Sequence, residues 1–551
     1  MSARLQKRAG VFAAALAVVA VCAAGCRDLQ NGAVEKISTQ REFNSKLALD
    51  VDSSSPDDVE HRDIYYGVTP AAKPMLIPTD RLLWVSPRGR PDMAALRREI
   101  EEKHIPGLIL RAENEADLAA LEGFSTLEML LVLGPAVTDA GLAHIGHLRS
   151  LKVLIFTYTP VTDAGLAYLE GLQSLQVLDI YGAKVTDVGL RYLKNLKELR
   201  ILKIGGTRIT GEGLVYLKDL KALRCLNIGE APLTEAGLVH LGALGRLQEL
   251  NLWHVPLTDA GMAHLKGMSG LRALDLEGTR VGDAGIANLS GIRSMQSLNL
   301  GETQVTGAGL ASLKGMESMQ VLNLARTRVT GASLVNLSGM KSLRELNLTH
   351  TAVTDEGMAS LANLKALQDL NINATRVTDA GLKSLANLTA LRILDLWALP
   401  ITDTGLACLK DLKTLEILNL SGTRITNDGL AYLEGLTALR GLSFWGTQVT
   451  DAGLAHVKAL SALKRLNLRE TKVTDAGLVY LRDLRELQWL DLAKTDVTDA
   501  GMVHLRGLQA LRLLNIWETR VTETGEDSLY KAIFNLNIAD TEYSHPGQHA
   551  L

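Results

Sequence analysis

One spacing governs this chain. An aliphatic residue at 137 returns at 161, 185, 209, 233 and onward to 521, seventeen times at intervals of 24 with no slip. Each occurrence opens a phrase such as "VTDAGLAYL" at 161. Its second position is Thr in 16 of 17 copies, with Gly282 the exception, and its fifth is Gly in 16 of 17, with Ser333 the exception. A fixed period of this length means stacked supersecondary units, each burying its apolar face against the next. The 551 residues therefore read as one long array rather than several globular domains.

Within one period, Leu178-x-Ile180 alternates apolar with polar, the mark of a short strand with one buried face. Leu190, Leu193, Leu196 and Leu199 follow at intervals of three and mark the buried side of a short helix or 3₁₀ turn. This arrangement resembles the leucine-rich repeat, L-x-x-L-x-L-x-x-N/C-x-L, over residues 105–540, with Thr replacing the usual Asn or Cys in most copies, from Thr159 to Thr519. A buried hydroxyl needs a partner, so each Thr is expected to bond backbone groups in the turn after its strand. The resemblance implies an α/β fold, a right-handed solenoid curved as a horseshoe. About 19 strands would form a parallel concave sheet, with short helices on the convex side. The L-x-L cores run from Leu108-Ile109-Leu110 to Leu536-Asn537-Ile538, and the first and last spacings are 22, as expected of capping copies.

The N-terminus reads as an export signal. Arg4, Lys7 and Arg8 precede an uncharged apolar run from Val11 to Ala24, too short to span a bilayer comfortably. The "AAGC" that closes it resembles a bacterial lipobox, which implies lipidation of Cys26 and a place in the cell envelope, at the outer membrane or surface. Plain secretion to the periplasm or beyond is the alternative, because Ala23 stands where the family usually has Leu. The organisation expected is a signal peptide at 1–25, a flexible tether at 26–80, an N-terminal cap at 81–106, the repeat solenoid at 107–540 and a tail at 541–551. Cys225 and Cys408 fall several turns apart, beyond the reach of a disulfide.

Three columns of the repeat could carry chemistry. The Asp column, Asp139 to Asp499 with Glu235 and Glu523, offers one carboxylate per turn, too few for calcium. It reads as a helix start, with Thr capping free N–H groups and Asp at the positive end of the dipole. The middle residue of the strand, Asn227 to Asn515 with Asp275, Asp395 and Asp491 among them, should form a polar ladder on the concave face. Trp253, Trp397, Trp445 and Trp517 are separated by multiples of 24 and share one column, two positions further on. Trp489 falls on the same surface, and Arg465 and Arg469 lie among them. Exposed Trp is enriched in interface hot spots, so these seven residues are the candidate ligand-binding set.

No nucleotide, zinc-protease or nucleophile motif is present, and the nine His residues from His104 to His504 are scattered. The net charge of −3 gives no electrostatic case for nucleic acid. The sequence points to a non-enzymatic, monomeric scaffold without cofactors. It would be tethered to a membrane through its lipidated terminus and hold a protein or extended polymer on the concave sheet. The phrase "VTDAGLxxL" also resembles the repeats of ubiquitin-ligase substrate receptors, which carry an F-box ahead of them. Residues 27–106 show no such module. A purely structural envelope role is the third reading.

Overall fold

The computed structural model describes residues 92–539 and, before them, the strands Gln40–Phe43, Leu49–Ser54, Ile64–Val68, Met75–Pro78 and Leu82–Pro87. The expected signal peptide, Cys26 and the tail at 541–551 lie outside the described residues. Residues 1–280 and 281–551 form two compact units.

In the first unit, eight repeat strands run parallel from Gly107–Arg111 to Ala273–Asp275. Leu82–Pro87 extends this sheet in parallel, pairing Trp84 with Gly107. Beyond it, Leu49–Ser54 and Ile64–Val68 continue the sheet in antiparallel fashion. Within the expected cap, the helix Met93–Glu102 is capped by Asp92 and buries Leu96 and Ile100. The expected tether at 26–80 holds strands that the sequence did not suggest. Four strands fall inside it, and two of them, Gln40–Phe43 and Met75–Pro78, pair antiparallel as a separate small sheet. Stretches such as "IYYGV" are β-prone, but they repeat nowhere else in the chain, so periodicity could not reveal them.

In the second unit, eleven parallel strands run from Ser297–Asn299 to Asn537–Ala539. With the eight of the first unit they make the nineteen expected. The first spacing is 22, since Leu108 pairs with Leu130. The last is not. Ile538 stands opposite Leu514, 24 residues on, so the final copy keeps full register. Leu536, read from sequence as the first core residue of that strand, instead packs in the turn before it, and Asn535 at φ 60° turns the chain back into line.

The inward strand positions and the helical leucines meet in one apolar column. Leu178, Ile180, Leu190, Leu193, Leu196 and Leu199 are all fully buried. Deleting one such Leu side chain costs about 2–5 kcal/mol. The Thr after each strand behaves as expected. Thr207, Thr279, Thr303 and eight later copies donate to the carbonyl three residues back at 2.6–2.7 Å. Thr159 alone of the column has a buried hydroxyl without a partner among the described residues.

The Asp column does more than start a helix. Thr162 caps its own turn by accepting from the amide of Ala164. The carboxylate of Asp139, one repeat earlier, accepts both the amide of Thr162 at 2.8 Å and its hydroxyl at 2.6 Å. The same two bonds join Asp163 to Thr186, Asp283 to Thr306, Asp355 to Thr378, Asp403 to Thr426 and Asp475 to Thr498. Asn427 replaces Asp and still clamps Thr450. In the clamped turns the Gly follows from this contact, because a Cβ at Gly429 would collide with the carboxylate of Asp403. Where the acid is missing, backbone takes its place: Gly237 is crowded by Gly211 and Gly357 by Gly331. Ser333 replaces Gly where the preceding repeat has Gly307 in place of Asp, so no carboxylate stands in its way.

Asp403→Ala is expected to lower stability by about 1–3 kcal/mol, the cost of two lost bonds to a partly buried partner. Gly429→Ser should be at least as damaging alone, yet add little to Asp403→Gly in a double-mutant cycle read by urea unfolding. Additive losses would disprove the coupling.

Candidate functional site

The sheet face of the repeats is set by the middle strand residue. Its side-chain oxygen accepts the amide two residues on, as Asn251 does from Trp253 at 3.0 Å, Asp395 from Trp397 at 3.0 Å and Asn515 from Trp517 at 3.1 Å. The expected ladder between repeats forms where an Asp supplies an acceptor. Asn251 donates to Asp275, Asn371 to Asp395 and Asn515 to Asp491. The column therefore fixes the backbone of each Trp. The residue after the Trp then takes a left-handed turn, as at His254, Ala398 and Glu518.

In the second unit, three of the expected residues come together. The Arg469 guanidinium lies 5.8 Å from the ring centre of Trp445 and 4.9 Å from that of Trp517. Ala493 occupies the column between Arg469 and Trp517, and its small side chain leaves room for this span. Lys494 sits 5.0 Å from the same Trp517 ring and pairs with Glu470 at 3.1 Å. Burial pushes the Glu470 carboxyl up, but hydrogen bonds from Lys494 and Trp445 outweigh it and hold the group below its ordinary range. Arg469 keeps only 12% of its side chain exposed. Arg465 and Trp489 stand abreast on the neighbouring strands, Arg465 exposed and Trp489 half-buried. Trp397 lies two repeats before Trp445 in the same column.

Beside Trp397 the same face holds a groove of about 370 Å³, lined by Glu345, Asp369, Asp395, Asn347, Asn371 and the aliphatic Ile393. Glu345 and Asp369 are direct neighbours in register, two like charges abreast. Burial pushes the Asp369 carboxyl above its ordinary range, with Arg392 pulling it back.

In the first unit, Trp253 belongs to a second aromatic group that sequence reasoning missed. Tyr181, Gly205, Gly229 and Trp253 share the Trp column. The Trp253 ring lies over Gly229 and the Tyr181 ring over Gly205, where any Cβ would collide with them. The Tyr181 hydroxyl donates to Glu230, and burial together with that carboxylate pushes its pKa far up. Two adjacent glycines flanked by Tyr181 and Trp253 in one column were the available signal. Two His–Glu pairs also went unread, because their partners are 22 residues apart. These are His144 with Glu122 at 2.8 Å and His456 with Glu434 at 2.7 Å. Among the described residues, no group of three or more His, Cys, Asp or Glu side chains could hold a metal ion.

Comparison with known proteins follows the repeat. The family described as leucine-rich repeat region matches residues 108–381, and a second leucine-rich repeat family matches 411–433. No curated protein matches the sequence. Among solved structures, the chain is similar to an internalin of Listeria monocytogenes, with 25% identity, TM-score 0.48, and 60% of this chain and 88% of that one covered. It is also similar to a chain of the mouse RP105/MD-1 complex, with 16% identity, TM-score 0.51, and 78% and 85% covered. A leucine-rich repeat protein of Leptospira interrogans aligns at 18% identity and TM-score 0.42, covering 82% of this chain and all of that one.

If Arg469 braces the two indoles, Arg469→Ala should free them. Acrylamide quenching of tryptophan emission is expected to rise about twofold, with a stability loss of about 1–2 kcal/mol from the two cation–π contacts. Unchanged quenching would show that the rings are held by the strands alone.

Proposed function

Because the chain is a leucine-rich repeat protein, we propose that it is a non-enzymatic scaffold that grips a protein ligand on the sheet face of residues 281–551. The Trp445–Arg469–Trp517 stack carries this reading. It puts the residue types that dominate interface energetics on one face, already fixed by Asn515, Ser443 and Asn467 through their backbones. Side chains ordered before binding lose little entropy on contact, so their energy goes into affinity. Trp397 and the acidic groove extend the surface toward the basic and apolar groups of a partner. Export and tethering through Cys26 belong to the same proposal, supported by the basic start, the apolar run and the "AAGC" that follows.

Replacing Trp397, Trp445 and Trp517 together by Ala should abolish capture of a partner from envelope extract while the circular dichroism melt stays within a few degrees of the parent. Capture at the parental level removes the aromatic surface from the reading.

The anchor has its own test. Mass spectrometry of the mature N-terminus is expected to find Cys26 first and carrying acyl chains. An unmodified start at Gly25 rules the lipid out and leaves plain secretion.

A further inference from the structure

The sheet face of the second unit is ordered by charge. The first residue of each strand lies on the same face as the middle one, two positions on. From strand to strand these first residues run Glu345, Asp369, Ile393, Ile417, Gly441 and Arg465, each paired in register with the next. Two acids stand at one end, an exposed Ile393 near the middle and an exposed Arg465 at the other end. Like charges abreast destabilise a sheet, and a cation bound between them relieves the repulsion. Arg392, the cation that draws the Asp369 carboxyl down, already gives its Nε to Glu416 at 2.8 Å. Burial outweighs that pull and holds Asp369 above its ordinary range. Glu345, Asp369 and Asp395 all line the groove, yet they do not form a group that could hold a metal ion. The arrangement suits a larger, organic cation.

A second observation points to an incoming donor at the same place. Asn373 adjoins the groove in the column of Trp397 and is 9% exposed. Its side chain is turned to the groove wall, where Nδ2 donates to Asp395 Oδ2 at 3.1 Å. Its Oδ1 is buried without a hydrogen-bond partner among the described residues, and so is the hydroxyl oxygen of Thr349, one strand earlier in that column. Buried polar atoms are normally bonded. An ammonium or guanidinium carries several N–H groups and accepts none, so it can serve carboxylates and an amide oxygen together.

Resting on the ligand surface proposed above, we infer that the groove between Glu345 and Asp395 receives a Lys or Arg side chain from an extended segment of the partner, which crosses the strands and sets a carboxylate against Arg465. The register fixes the length of that segment. Five strand spacings of about 4.8 Å separate Glu345 from Arg465, about 24 Å, which an extended chain covers in about seven residues. Between its charges the segment lays aliphatic side chains on Ile393 and Ile417, and Gly441 has no side chain to obstruct its backbone. Because it crosses the strands rather than continuing them, it is recognised through side chains and not through ladder bonds.

A library of random dodecapeptides displayed on phage, panned on the full chain, tests this. Enriched peptides are expected to carry a Lys or Arg and an Asp or Glu about seven residues apart, with aliphatic residues between. For a labelled synthetic copy of one such peptide, Glu345→Gln/Asp369→Asn and Arg465→Glu should each weaken binding about tenfold in fluorescence anisotropy, the effect of one lost charge-assisted bond. Enrichment of peptides without the paired charges overturns the inference, as does no enrichment over an unrelated immobilised protein. A peptide that keeps its affinity for both charge variants but loses it when Trp397, Trp445 and Trp517 become Ala overturns this inference alone and leaves the aromatic surface standing. A peptide indifferent to all of these substitutions removes both.

Discussion

The carboxylate of one repeat holding the Thr of the next is the bond on which this structure depends. Apolar burial explains why each turn has an inside, but leucines repeat too uniformly to specify which turn follows which. The Asp–Thr contact is directional and charge-assisted, and so sets the stagger between turns to within the tolerance of a hydrogen bond. It also explains the two most faithful letters of the repeat together. In the clamped turns Thr offers both an amide and a hydroxyl to one carboxylate, and that carboxylate fills the space a Cβ on the Gly would need.

The sheet face obeys a different logic. Its side chains join neighbouring turns only where an Asp supplies an acceptor, and otherwise differ from turn to turn. They hold apolar residues in the first copies, Asn amides further on, and indoles with Arg469 near the end. The Asn column still constrains them, because its side-chain oxygens fix the amide of each residue two positions on. A rigid backbone carrying variable side chains is what a recognition surface needs, and here both derive from the same strand.

Much of this was legible in the sequence. The period gave the strand count, the buried leucines and the hydroxyl bonds of the Thr column, because each is local to one turn. Relations between turns were harder to see. The partner of Asp139 is Thr162, 23 residues away, and the partner of His144 is Glu122, 22 residues away. Nothing in a column read by itself indicates contact with its neighbour. The last strand was misplaced for a related reason. Leu536 and Ile538 look like a core pair, and only pairing with Leu514 shows which of them belongs to the sheet. Of the seven expected site residues, Trp445, Arg469 and Trp517 meet, Arg465 and Trp489 are neighbours across one strand pair, Trp397 lies two repeats before Trp445, and Trp253 belongs to the other unit. A shared column places side chains on one face. Whether they touch depends on what fills the turns between, as Ala493 does for Arg469 and Trp517.

The places where the clamp is missing have a meaning of their own. Gly307 and Gly331 stand in consecutive turns where other turns carry Asp, so Thr330 and Thr354 face no carboxylate from behind. Neither Thr accepts a capping bond from its own helix. In a linear array each turn is as secure as its two joints, and opening spreads until it meets a stronger one. At these two joints the close packing of Gly307–Ser312 and Asp355–Met358 against Gly331–Leu337 takes over from the charged clamp. The same stack is thus fastened in two ways, by directional bonds along most of its length and by backbone approach where glycine stands in for the acid.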